Sequence, residues 1–202
     1  MSGYRLLRAG LVLAALAAVS ACSTKVERLQ ETDSRDLSGG WNDTDSRLVS
    51  QEMIQDSLSR PWLQEFRGRA GQNRPAVIVG EVRNLSHEHI NTNTFTLEME
   101  RALINSGKVD FVASKQERQG VRDERKDQDL NAREDTRNAM GRELGADFMV
   151  TGSINTIVDP NGSEQLLYYQ VNMTLISLAD NRKVWVGQKD IKKLVTRSKM
   201  RF

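Results

Sequence analysis

The chain holds a single cysteine, Cys22, at the end of the run Val19-Ser20-Ala21-Cys22. An aliphatic residue, two small residues and a cysteine resemble a lipobox, the substrate pattern of the lipoprotein signal peptidase, with the thiol placed to receive a diacylglyceryl group. The residues ahead of it fit that chemistry. Arg5 and Arg8 come without an acid, and the apolar run Ala9 to Val19 follows. This is the order of a secretory signal, and the run is too short for a good membrane span. Cys22 is therefore expected to carry lipid, with residues 1–21 removed as a signal peptide. A lone lipidated cysteine leaves no thiol for a disulfide, a zinc site or a nucleophile, so the fold must hold by packing. Ser23 and Thr24 follow it where an aspartate would retain a lipoprotein in the inner membrane, which directs the expectation to the outer membrane, periplasmic side.

The remaining chemical candidates are weaker. His87 and His89, the only histidines, flank Glu88, and imidazole plus carboxylate can bind zinc. A closed site needs further ligands from distant positions, and the sequence offers no second pair, so an exposed polar loop is expected instead. There is no Gly-x-Ser-x-Gly elbow and no glycine-rich phosphate loop ahead of a helix. Carboxylates crowd residues 117–135, but without the apolar setting that raises one of them for acid work. No catalytic residue, cofactor or metal is expected. Of 29 Lys and Arg against 27 Asp and Glu, loss of Arg5 and Arg8 leaves 27 against 27. A neutral surface gives no electrostatic basis for nucleic acid. The one basic excess, Lys189, Lys192, Lys193, Arg197, Lys199 and Arg201 against Asp190, reads as a solvated, frayed end, with a contact to anionic lipid or glycan as the alternative, and 196–202 as a basic tail.

These groups need elements to position them. Residues 22–45 are polar, with Trp41 the one aromatic side chain, and read as a flexible tether that spans roughly 75 Å when extended. Residues 46–73 hold a lead-in helix, with Leu48, Ile54 and Leu58 at near-helical spacing behind Thr44 and Asp45 as caps, until Pro61-Trp62 redirects the chain. A single globular domain follows over 74–195. It opens with Pro75 to Val82, a continuous apolar run that suits a buried strand. Thr92 to Ser106 is a helix with Phe95, Met99, Ala102 and Leu103 on one face and Gly107 at its end. Lys108 to Ala113 is a second strand. Residues 114–130 suit either a solvent-facing helix or a loop, and Ala132 to Leu144 a further helix.

Strand signals then take over. Asp147 to Val158, Gln165 to Leu178 and Lys183 to Val195 are joined by Asp159-Pro160-Asn161-Gly162 and Ala179-Asp180-Asn181-Arg182. Leu167, Tyr169, Val171, Met173 and Leu175 alternate with mostly polar residues, which marks one buried and one wetter face. The expected fold class is α/β: a mixed sheet with helical crossovers in its first half, an antiparallel three-strand meander in its second, and helices mainly on one face. Trp185 is expected in the core, and Trp41 and Trp62 at contacts with tether, membrane or partner.

Four pieces then stand in order: Asn84-x-Ser86 with Ile90-Asn91-Thr92; Leu103-Ile104-Asn105-Ser106-Gly107-Lys108-x-x-Phe111-Val112; Leu144-Gly145-Ala146-Asp147-Phe148-x-x-x-Gly152; and Val184-Trp185. Together, behind a lipobox, they resemble the family of the outer-membrane lipoprotein LpoB, over about residues 46 to 195. The resemblance implies a regulator of peptidoglycan synthesis that docks on a bifunctional, class A penicillin-binding protein and leaves the chemistry to it. The tether departs from the family pattern, being short and without proline. A competing expectation is an envelope assembly or secretion component similar to the curli-secretion lipoproteins, which the short tether suits. Asn84, Ser86 and Asn91 are read as turn and cap residues, and the face that meets a partner is left unassigned.

Overall fold

In a computed structural model, which describes residues 30, 36, 38–71, 73–136 and 143–197, the first helix starts at a capping box. The Asn42 side chain accepts from the Asp45 backbone N–H and Asp45 accepts from the Asn42 N–H, each at 3.0 Å, which satisfies two donors that a helix start leaves unpaired. Helix α1 (Asp43–Ser59) buries Val49, Met53, Ile54 and Leu58 alongside Ser46, Ser50 and Ser57. Of these, the fully buried Ser50 faces the third helix, its hydroxyl 3.5 Å from the Phe95 carbonyl. After Pro61, α2 (Trp62–Arg69) resumes the helical path. The Trp62 indole donates to the Ser57 carbonyl at 2.7 Å, and its ring meets Phe148 edge-on at 5.0 Å. Trp62 is thus a core residue, contrary to the expectation of an outside contact: the proline turns the chain for one step and tucks the indole beneath α1.

Five strands form one sheet in the order β2-β1-β3-β4-β5. They are β1 (Ala76–Leu85), β2 (Asp110–Phe111), β3 (Phe148–Asn161), β4 (Glu164–Ser177) and β5 (Lys183–Thr196). Strand β1 pairs parallel with β2 and β3, through α3 (Thr92–Asn105) and then α4 (Lys115–Asn131), while β3, β4 and β5 pair antiparallel. The expected mixed sheet, half crossover and half meander, is what forms. In β4 every second residue from Leu167 to Ser177 is buried, which is the period of a strand covered on one side. Those residues meet Val77, Val150 and Ile154 from the neighbouring strands and Val49, Met53, Phe95 and Met99 from the helices in one core.

The charged stretch forms a helix. A capping box between Ser114 and Glu117 starts α4, and none of its residues is buried. Of the helix expected over 132–144, residues 132–136 form a bend and a turn, 143 and 144 are irregular, and 137–142 lie outside the described residues. The two hairpins differ in their turns. Asn161 pairs with Glu164 across Gly162-Ser163, so Pro160 lies within β3 and the turn is shorter than the sequence implied.

Candidate functional site

The sequence-nominated groups sit apart from one another. Cys22 lies outside the described residues. His87 and His89 are exposed on the loop between β1 and α3, and among the described residues no group of three or more His, Cys, Asp or Glu could hold a metal. The short polar side chains of that loop make turn and cap bonds. Asn84 Oδ1 accepts from the Ser86 N–H at 3.0 Å and from its hydroxyl at 2.6 Å, Asn84 Nδ2 donates to the Glu88 carbonyl at 2.8 Å, and Asn91 accepts from the Asn93 N–H at 3.1 Å.

Glu88 has a different task, holding two distant parts of the chain. Its carboxylate accepts from the Tyr169 hydroxyl at 2.6 Å and from the Trp41 backbone N–H at 3.1 Å. Tyr169 is fully buried; burial first, then the Glu88 carboxylate, pushes its phenol well above the ordinary value. The Trp41 ring lies edge-on to Tyr169 at 5.5 Å and to Phe95 at 6.3 Å, and its indole donates to Ser46 Oγ at 2.8 Å. Trp41 was expected to serve tether, membrane or partner; the structure gives it to the domain's own core.

Lys193 closes the same corner from β5. Its side chain is 10% exposed, and its ammonium donates to Asp45 Oδ2 at 2.6 Å, Asp36 Oδ1 at 2.8 Å and the Gly40 carbonyl at 3.0 Å. Burial pulls its pKa down, but the bonds to Asp36 and Asp45 outweigh burial and hold it above the ordinary value. The sequence reading missed this corner. The signal lay in β5, where alternation puts Lys189 and Lys193 on the same face as Trp185, and inward cations require acidic partners. Lys189 finds Glu52 at 2.6 Å.

Two surfaces stand out among the described residues. Between α1 and β5 runs a groove of about 490 Å³ lined by Glu52, Asp56, Arg60, Trp185 and Lys189. Asp56 accepts from the Trp185 indole at 2.8 Å; Arg60 first, then that indole, holds its carboxyl below the usual range. The Trp185 ring lies over Gly187, where a Cβ would stand 2.2 Å from it. The other surface is the sheet face turned away from α1 to α3. Its middle is polar, with Ser153, Asn155, Gln170 and Asn172, while one end carries two apolar cross-strand pairs, Ile157 with Tyr168 and Leu166 with Leu194, and Leu85 pairs with Asn155 beside them. Leu85 is 53% exposed, Ile157 62% and Leu194 65%.

Among the described residues, neither surface gathers the parts of a catalytic site, and the one carboxylate pair with opposed shifts is Glu100, raised by burial and then by Glu117, and Glu117 itself, lowered by its bonds to Ser114. Opposed shifts can mark acid and base roles, but Glu117 is committed to starting α4. The inward carboxylates Asp45 and Glu88 and the partly exposed Asp56 likewise each hold a structural donor. The arrangement is a scaffold that presents surfaces.

The sequence profile of the family described as peptidoglycan-synthase activator LpoB matches residues 45–191. The chain belongs to the LpoB family. The matched span opens in the first turn of α1 and closes in β5, so it takes in α1 and α2 as well as the sheet. Among solved structures, the LpoB C-terminal domain from Escherichia coli is 20% identical, over 76% of this chain and 99% of that one, with a TM-score of 0.39. The corresponding domain from Salmonella enterica is also 20% identical, over 65% and 93%, at 0.35. Lipoprotein GNA1162 from Neisseria meningitidis is 10% identical, over 62% and 88%, at 0.39. No curated protein matches the chain. As an LpoB-family protein it falls among activators of peptidoglycan synthases rather than among catalysts. The glycines and Trp41 that precede Asp45 lie outside the matched LpoB span.

Proposed function

We propose that this chain is an outer-membrane lipoprotein, anchored by lipid on Cys22 and facing the periplasm, that binds a bifunctional class A penicillin-binding protein and stimulates its glycan polymerisation and crosslinking. The observation that carries this reading is the family match over 45–191. The lipobox at Val19 to Cys22 supports the anchor, and among the described residues no helix is long and apolar enough to cross a membrane. Residues 1–21 are the signal peptide in this reading, and the lipid-bearing chain runs from Cys22 to the domain. The contact falls on the uncovered sheet face, at the end where Ile157, Leu166, Tyr168 and Leu194 expose apolar surface of the kind that marks interaction sites. The synthase supplies the chemistry.

The test mixes the mature chain with each purified class A synthase of the source organism and follows polymerisation of lipid-linked disaccharide. A faster rate with wild type, and a loss of that gain in Ile157→Asp and Leu194→Asp proteins of unchanged melting temperature, is the expected result. No binding and no rate change with any of those synthases overturns the activator reading. Cys22→Ser separately moves the protein from the membrane to the soluble fraction if the anchor is as described.

A further inference from the structure

The polar stretch ahead of α1 is fastened to the domain by a set of contacts that the sequence has prepared. Gly39 sits at φ +73 with Val195 so close that a Cβ would stand 2.2 Å from a Val195 methyl, so both conformation and contact require glycine. Gly40 gives its carbonyl to Lys193 at 3.0 Å. Trp41 gives its N–H to Glu88 and its ring to Phe95 and Tyr169. Asp36 is joined to Lys193 and to Asn42. Asp36 to Phe202 accordingly forms one compact unit.

We infer that residues 38–42, with Asp36, are a strap that shortens the tether and fixes how far the domain stands from its membrane. This rests on the lipid at Cys22. Between Cys22 and Asp36 lie only Ser23 to Arg35, thirteen residues, which span at most about 45 Å and about 20 Å as a coil. Without the strap, Asp36 to Asn42 would add about 24 Å more. The domain therefore begins within about 45 Å of the outer membrane, and its partner is one whose docking segment comes to it there. A synthase rooted in the opposite membrane must bring a periplasmic segment that far, because the tether does not travel to meet it.

The strap and the reach are tested separately. Chymotryptic cleavage after Trp41 in the full mature chain reads the strap whether or not lipid is present. It should proceed at least tenfold faster in Gly39→Val than in wild type, with the core helices and sheet intact by circular dichroism. If Gly39→Val does not fold, hydrogen exchange of the wild-type Trp41 N–H serves, with protection of at least a hundredfold expected; equal cleavage, or no protection, overturns the strap. Mass spectrometry of the Cys22 peptide then establishes the lipid, and its absence sinks the anchor reading while leaving the strap result standing. For the lipidated chain in a supported bilayer, neutron reflectometry should place the near edge of the domain within about 45 Å of the headgroups, and Gly39→Val should move the density outward by up to about 24 Å. A wild-type domain lying beyond that limit overturns the reach.

Discussion

Replacing Lys193 by methionine removes the cation that binds Asp36 and Asp45 to β5. The Asp45 side chain is only 10% exposed and keeps one donor, the Asn42 N–H at 3.0 Å. Stranding one partner of a buried ion pair costs about 3–5 kcal/mol. The retained donor and partial exposure set the expectation at the lower end, about 3 kcal/mol, while Asp36, about half exposed, adds less than about 1 kcal/mol. For a chain of this size that is a fall in melting temperature of about 6–12 °C. Asp45→Asn in the same chain removes the stranded charge yet keeps an oxygen for the Asn42 N–H, so the double variant should recover to within about 1 kcal/mol of wild type. Urea unfolding of residues 36–202, followed through tryptophan fluorescence, measures all four members of the cycle at a shared m-value. Lys193→Met within about 0.5 kcal/mol of wild type, or a double variant as unstable as the single, would refute the role given to this pair.

Alkaline titration probes Tyr169. Its folded-state pKa is raised, so its contribution is complete below the unfolded value near 10 and is lost as pH rises through the folded value. In residues 36–202, absorbance at 295 nm should show Tyr169 ionising only as the fold is lost, and an intact fold with both tyrosines ionised near pH 10 contradicts this. Gly187→Ala forces a Cβ against the Trp185 ring and should cost about 1–3 kcal/mol, with a shift in Trp185 emission; an unchanged urea midpoint is the opposing result. Replacing His87 and His89 together by alanine, both being exposed, should leave stability within about 0.5 kcal/mol and zinc affinity and synthase activation unaltered. Loss of activation in that variant would return the loop to the list of functional parts.

The sheet was legible because its signals are local. Alternation in β4, the buried run at the start of β1 and the turn residues between hairpins each act within ten residues or so and put the strands in the right order, although β3 runs on through Pro160 to Asn161 and β2 keeps only Asp110–Phe111 of the stretch read as a strand. Helix α4 also carried a local mark, Ser114 followed three residues later by Glu117, but its lack of apolar residues masked it. What escaped the sequence is non-local. Trp41 orders its neighbours by reaching Glu88, Phe95 and Tyr169, none of them near it along the chain, so a polar composition around it said nothing of its burial. Helix α1 was read as a lead-in from Leu48, Ile54 and Leu58, yet Leu48 is exposed and the buried face is completed by Val49, Met53 and the small Ser50, which apolar spacing alone does not single out. Lys193 looked like one more charge in a basic tail until strand pairing placed it inward.

Strand β5 leaves fourteen residues of backbone at one edge of the sheet, while at the other β2 pairs with only the first two residues of β1. A long unpaired edge invites a strand from a neighbouring molecule, and charges directed inward are one means by which proteins discourage it. Here Lys189 and Lys193 fill that role, each already engaged with acids on α1 or the strap, so a newcomer gains hydrogen bonds only by crowding occupied ion pairs. The same contacts that hold Asp36 and residues 38–42 would thus keep neighbouring copies from zipping into fibres. Lys193→Met loosens both, and in concentrated solution its first symptom should be self-association, visible by light scattering at temperatures where the wild type stays dispersed.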